Sequence, residues 1–167
     1  MKAHYKTRLR QIKTLIFDVD GVMTDSQLIL LPDGSMVRSM NARDGYALEY
    51  ALKKGMHIAI ITGGRNPMVK NRLEKLGITD IYLDAQNKRE AYEDFCARYA
   101  LKAEEMLYMG DDILDMEVMQ CVGISSCPAD AVPEVQAIAD YISPLKGGKG
   151  CVRDVVEQTL KVKGLWP

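Results

Sequence analysis

Short apolar runs alternate with amphipathic stretches along this chain. "TLIF" (14–17), "HIAII" (57–61), "DIYL" (80–83), "MLYM" (106–109) and "VGIS" (122–125) have the length and composition of strands buried on both faces. Between them lie helical patterns. Asn66-Pro67 supplies an N-cap and a first-turn proline; Val69, Leu73 and Leu76 follow at spacings of four and three, and Gly77 closes the helix. Residues 44–54 carry a stripe of Ala47, Leu48, Ala51 and Leu52 with Gly55 behind it, and residues 88–100 carry Ala91, Phe95 and Tyr99 at a spacing of four.

Strand–helix alternation predicts an α/β fold, a doubly wound (Rossmann-like) parallel sheet with helices on both faces. One segment breaks the alternation. "SQLILLPDGSMVRSMN" (26–41) has two β-prone arms around Pro32-Asp33-Gly34 and predicts a β-hairpin projecting from the sheet. No repeat, low-complexity tract or linker is visible, so residues 1–167 are expected to form a single domain.

Composition narrows the function classes. The net charge of −1 gives no broad basic field for nucleic acid. No apolar run approaches membrane-spanning length, and the basic segment "MKAHYKTRLRQIK" lacks the apolar stretch of a signal peptide, so a cytoplasmic location is expected. Cys96, Cys121, Cys127 and Cys151 form no Cys-x-x-Cys pair and have no His cluster beside them, which argues against zinc and a disulfide framework. His4 and His57 are far apart in sequence and receive no chemical role.

The candidate chemistry lies where the apolar runs end. The first run ends in Asp18 and Asp20, followed by Gly21; the second in Thr62-Gly63-Gly64; the fourth in Gly110-Asp111-Asp112, with Asp115 nearby. Lys88 opens the helix after the third run. Open parallel sheets bind ligands at the carboxyl ends of their strands, so these groups are expected to converge. Gathered carboxylates repel unless a cation or protons neutralise them, and Mg²⁺ suits oxygen ligands while leaving room for water and phosphate. Thr62 and the N–H groups after it, Gly63 first, can hold phosphate oxygens, and Lys88 adds positive charge. A carboxylate can attack phosphorus, and a second carboxyl two residues on can serve as acid and base. Each piece alone has a plainer explanation: a turn for Asp-x-Asp-Gly, a strand-end cap for Thr62, a solvated helix residue for Lys88, a favourable helix N-terminus for Asp111, Asp112 and Asp115. Their ordered recurrence at successive strand ends favours a phosphate-handling site.

With these residues in place, the sequence resembles the haloacid dehalogenase-like phosphohydrolases over nearly its whole length, in all four motifs: "DVDGVMTD", "IITGG", Lys88 in "AQNKREA", and "GDDILD". The resemblance implies Asp18 as nucleophile, Asp20 as acid/base, Thr62 on the phosphate and Mg²⁺ held by Asp18, the backbone carbonyl of Asp20 and Asp111, with Asp112 or Asp115 supporting the ion's water shell. The stretch from Asp20 to Thr62 is filled by the hairpin and one helix, and that from Thr62 to Lys88 by a helix and a strand, so no inserted cap domain is expected.

Among capless members the chain is most similar to the 3-deoxy-D-manno-octulosonate 8-phosphate phosphatases, through "DGVMTD" and its hairpin, "NARDGYAL" and "PLKGGKGCVRDV". That similarity implies a Mg²⁺-dependent sugar acid phosphatase of lipopolysaccharide precursor synthesis, acting through an aspartyl phosphate. It also implies a homotetramer in which hairpins associate and a neighbour helps cap each site. Leu28, Leu30, Met36 and Met40 suit such an interface and equally suit this chain's own core. Asn41, Arg43, Asp44, Arg65 and Lys149 are candidate contacts to the sugar acid, and "GGKG" is expected to be a flexible loop near it. The sequence departs from the subgroup at Gly64, where an arginine commonly follows "TG". Alternatives are a phosphatase for nine-carbon sugar acid 9-phosphates, a phospho-accepting signalling domain, and a non-catalytic oligomerisation module.

Overall fold

The computed structural model of the protein describes residues 4–167, so the first three residues of the basic N-terminal segment lie outside it. Among the described residues, eight strands and seven α-helices follow in chain order. They are α1 (Tyr5–Arg8), β1 (Thr14–Phe17), β2 (Ile29–Leu30), β3 (Met36–Val37), α2 (Ala42–Lys53), β4 (His57–Ile61), α3 (Pro67–Lys75), β5 (Asp80–Tyr82), α4 (Lys88–Tyr99), β6 (Met106–Met109), α5 (Met116–Met119), β7 (Ile124–Cys127), α6 (Pro133–Ile138), β8 (Tyr141–Ile142) and α7 (Cys151–Val162). Six strands form one parallel sheet in the order β5-β4-β1-β6-β7-β8, and β2 pairs with β3 as the expected antiparallel hairpin.

The buried runs work because each strand feeds two cores. Leu15 and Phe17 of β1 face one side, with Ile58 and Ile60 of β4 and Leu107 and Met109 of β6; α2, α3 and α7 cover them. Ile16, Ala59, Ile61, Met106 and Tyr108 face the other, under α4, α5 and α6. With period-2 side chains and both faces covered, β1 and β6 are buried along their whole length.

The sequence reading needs several corrections. The strand expected at 122–125 runs from Ile124 to Cys127. Val122 and Gly123 instead make the approach to it, where Gly123 donates to the Ala103 carbonyl and lies too close to the Glu104 backbone to carry a side chain. β5 stops at Tyr82. The buried face of α4 is Lys88, Tyr92 and Phe95. Tyr99 is exposed, with its hydroxyl donating to Asp80 at 2.8 Å. β8, α6 and α7 were not expected. Nor is the "GGKG" segment a free loop: Gly147 N–H donates to Asp130 Oδ1 and Gly148 N–H to the Val22 carbonyl, both at 2.9 Å.

Helix α7 has Gly150 at its N-cap, which has no side chain to offer its free N–H groups. Asp44 of α2 supplies the missing acceptor: its Oδ1 takes the Arg153 N–H at 2.8 Å. The carboxyl is 1% exposed and its Oδ2 has no partner. Burial therefore pushes it up to about 6, against the pull of the N–H groups at the α7 terminus. A folded-state value above the unfolded one means that the stabilisation from this group is full below about pH 4 and is lost as pH rises through 6. In urea unfolding, the stability of the wild type relative to Asp44→Asn is expected to improve by on the order of 1 kcal/mol between pH 7.5 and 4.5. A difference that moves the other way contradicts the assignment.

Candidate active site

The sheet order reverses direction beside β1. The chain passes from β1 to β4 and β5 on one side, then returns to β6 on the other. Ligands of open α/β sheets sit at such a switch point. Here the register pairs Phe17 with Met109, so the residues after each strand emerge side by side; the Asp18 N–H donates to the Met109 carbonyl at 3.1 Å.

Three carboxylates meet there. Asp18, Asp111 and Asp115 each place an oxygen within 4.8 Å of the other two. Lys88, from the first turn of α4, reaches in with its Nζ 2.7 Å from both Asp18 Oδ2 and Asp115 Oδ1. Tyr108 of β6 donates its hydroxyl to Asp115 Oδ1 at 2.5 Å, and the Asp111 and Asp112 N–H groups donate to Asp115 Oδ2 at 3.0 and 3.2 Å. Asp115 is thus fully occupied. Asp112 is turned outward and accepts the Ile113 N–H at 2.7 Å, starting the 3₁₀ turn Ile113–Asp115. The structure separates the two acids that sequence left equivalent: Asp115 lies in the cluster and Asp112 at its edge.

Two glycines make this approach feasible. Gly21 has φ +86°, and a Cβ on it would run into the Asp111 carboxylate. Gly110 similarly has no space for a Cβ beside Asp115. After Asp18 the chain folds back at once, with the Val22, Met23 and Thr24 N–H groups all donating to the Val19 carbonyl. That turn carries Asp20 away from Asp18.

The charges do not balance. Burial first, then repulsion from Asp115, pushes the Asp18 carboxyl up to about 7 despite its contact with Lys88. Burial, then Asp18 and Asp115, pushes Asp111 up to about 8. Burial pulls Lys88 downward, but the charges and hydrogen bonds of Asp18 and Asp115 outweigh it and hold the ammonium above the usual lysine range. One ammonium is too little for three carboxylates. Asp111 Oδ1 is also buried without any hydrogen-bond partner. An orphaned carboxylate oxygen within an all-oxygen cluster is what a hard divalent cation fits, and Mg²⁺ or a similar ion satisfies both deficits.

Asp18, Asp20, Ser26, Thr62, Gly63, Gly64, Lys88, Asp111, Asp112 and Leu114 surround a cavity of about 230 Å³. Thr62 is 3% exposed at the tip of β4, and its Oγ accepts the Gly64 N–H at 3.2 Å. The candidate sugar contacts lie elsewhere. Asn41, Arg43 and Lys149 line a separate cavity of about 610 Å³ beside α7. Lys149 pairs with Asp25 at 3.3 Å, Arg65 pairs with Asp84 at 2.7 Å, and Asp44 is buried under α7. Within one chain, none of the five lines the strand-tip cavity.

Sequence reasoning missed two participants. Tyr108 was hidden because a strand buried on both faces gives no alternation to mark which side chain meets the site. Arg38 follows β3 and grips Asp20 with a fork, Nε to Oδ1 at 2.5 Å and Nη2 to Oδ2 at 3.0 Å. Nothing local marks that contact, which depends on how the hairpin folds back across 18 positions.

Comparison with known proteins adds to this geometry. Residues 75–152 match the haloacid dehalogenase-like hydrolase family. The chain is 37% identical over 164 residues to the 3-deoxy-D-manno-octulosonate 8-phosphate phosphatase of Salmonella typhi, covering 98% of this chain and 87% of that protein. Its structure superposes on that of a putative 3-deoxy-D-manno-octulosonate 8-phosphate phosphatase from Vibrio cholerae with a TM-score of 0.94 and 38% identity, covering 97% and 90% of the two chains. It superposes on the Moraxella catarrhalis phosphatase, crystallised with a magnesium ion, a phosphate ion and a KDO molecule, with a TM-score of 0.90 and 30% identity over 93% and 90%.

A cation held by Asp18 and Asp111 would have to compete with protons. Because both are raised, into the range 7 to 8, Mg²⁺ must displace protons increasingly as pH falls through that range. Calorimetric titration is expected to show Mg²⁺ affinity roughly ten-fold or more weaker at pH 6 than at pH 8, with proton release on binding. Equal affinities at the two pH values contradict the cluster as the binding site.

Proposed function

The chain belongs to the haloacid dehalogenase-like hydrolases, in the 3-deoxy-D-manno-octulosonate 8-phosphate phosphatase family, and from that premise we propose that it hydrolyses this eight-carbon sugar acid phosphate to the free sugar acid and phosphate. The observation that carries the reading is the buried cluster of Asp18, Asp111, Asp115 and Lys88 at the switch point, with one carboxylate oxygen left unpartnered.

In this reading Asp18, Asp111 and the Asp20 carbonyl hold Mg²⁺, and Asp115 braces the site from behind. When bound, the ion neutralises the carboxylates and the phosphoryl oxygens. Lys88 and Thr62, with the Gly63 N–H, bind and orient the phosphoryl group. The Asp18 carboxylate attacks phosphorus, the ester P–O bond breaks, and Asp20 gives a proton to the departing alkoxide. Asp20 then takes a proton from a water that attacks the aspartyl phosphate, freeing phosphate and restoring Asp18. Lys88 holds Asp18 from 2.7 Å, so the nucleophile enters the reaction already aimed.

The hairpin supports a proposed homotetramer. Leu28, Ile29, Leu30, Leu31, Met36 and Val37 are all exposed, a concentration of apolar surface that isolated chains seldom leave to water. Met40 packs against the chain's own core instead. Association through this face would bring a neighbour over the open cavity and could supply the sugar contacts that one chain lacks. The proposed setting is the cytoplasm. No helix among the described residues is long and apolar enough to cross a membrane.

Phosphate release from a panel of sugar acid esters tests the substrate. The eight-carbon 8-phosphate is expected to have the highest kcat/KM, and a clear preference for a nine-carbon 9-phosphate overturns that choice. Asp18→Asn is expected to abolish turnover, and Asp20→Asn to lower kcat by about 10²–10⁴-fold. Stable phosphorylation of wild-type Asp18 without release of phosphate would make the chain a signalling domain.

A further inference from the structure

Asp20 is held from outside its own loop. Its carboxylate hydrogen-bonds one side chain among the described residues, Arg38, and both carboxylate oxygens are engaged by the guanidinium fork. The Arg38 side chain is 7% exposed, whereas Asp20 is 34% exposed towards the cavity. The arginine is therefore built into the structure and the acid is left accessible. Gly64 borders the pair: a Cβ there would make ordinary van der Waals contacts, 3.5 Å from Asp20 Oδ2 and Thr62 Oγ and 3.7 Å from Arg38 Nη2.

The hairpin that carries Arg38 has little core of its own, since both its short strands are exposed. A second attachment holds it down. Asn66, the N-cap of α3, donates from Nδ2 to the Met36 carbonyl at 2.6 Å while its Oδ1 accepts the Met68 and Val69 N–H groups. The last strand of the hairpin is thus fastened on one side to the acid and on the other to the helix that follows the Thr62 loop.

We infer that Arg38 is the positioning residue of the acid/base, fixing the plane and direction of the Asp20 carboxylate, so that seating of the hairpin is a condition for proton transfer to the leaving group. This rests on the phosphatase reading above. A carboxylate free to turn about two side-chain torsions spends little time aimed at a leaving oxygen; a forked guanidinium removes that freedom. In the first step the Asp18 oxygen bonds to phosphorus, the ester P–O bond breaks, and the Asp20 proton moves to the departing oxygen. An alkoxide needs that proton to leave. A p-nitrophenolate, stable as an anion, needs it far less.

The experiment compares kcat/KM with saturating Mg²⁺ for three esters: the eight-carbon sugar acid 8-phosphate, a short primary alkyl phosphate bearing no carboxylate or hydroxyl, and p-nitrophenyl phosphate. Wild type, Arg38→Ala and Arg38→Lys are measured, and kcat/KM is used because it reports the steps through leaving-group departure. Arg38→Ala is expected to lose on the order of ten-fold or more on the alkyl ester beyond its loss on the aryl ester. Arg38→Lys recovers part of this, since an ammonium restores the charge but not the fork. The aryl-ester rate serves as the internal check on folding. Equal losses on the alkyl and aryl esters, no loss, or a loss seen only with the sugar acid phosphate overturns the inference and leaves the phosphatase reading in place. A wild type inert to every ester removes that reading and the inference together.

Discussion

The structure depends on a deliberate charge imbalance. Asp18, Asp111 and Asp115 are brought within reach of a single ion, and Lys88 supplies one positive charge where three negative ones meet. Without a cation, burial and mutual repulsion favour protons on Asp18 and Asp111. With one, the same residues become a preorganised anionic cradle with lysine already in place. Apolar packing alone gives no reason to gather these groups; their neighbourhood makes sense as a place for a divalent ion and a phosphoryl group.

The fold supplies the convergence cheaply. β1 and β6 are adjacent and parallel, so their tips deliver Asp18 and Asp111 to one point without any long-range loop. Gly21 and Gly110 then permit closer approach than any other residue would. Asp115 is turned into the cluster by a 3₁₀ turn that Asp112 caps. Tyr108 and two backbone N–H groups occupy the remaining acceptor sites of Asp115, which suits it to bracing its neighbours.

Much of this was legible in the sequence, and the missing parts have physical causes. Strands β1, β4 and β6 were visible as apolar runs with polar tips, and the hairpin as two β-prone arms around Pro32-Asp33-Gly34. Asp112 and Asp115 could not be separated because their difference lies in one tight turn. Arg38 could not be found because its contact depends on how the hairpin folds back onto Asp20, which its local sequence does not mark. Helix α7 does carry a readable stripe, Val152, Val155, Val156 and Leu160, but its start is obscured by glycines, since Asp44 of another helix does the capping. That same borrowed cap explains why Asp44, a candidate for sugar binding by sequence, is buried between helices.

In the proposed reaction this cluster holds a divalent ion beside an Asp18 that accepts a phosphoryl group. A crystal structure with Mg²⁺ and beryllium fluoride, a mimic of the acyl phosphate, tests it most directly. Beryllium is expected to be bonded to an Asp18 carboxylate oxygen, with Mg²⁺ between Asp18 and Asp111 and Lys88 against a fluorine. Beryllium fluoride on another residue, or an ion away from Asp111, would contradict it.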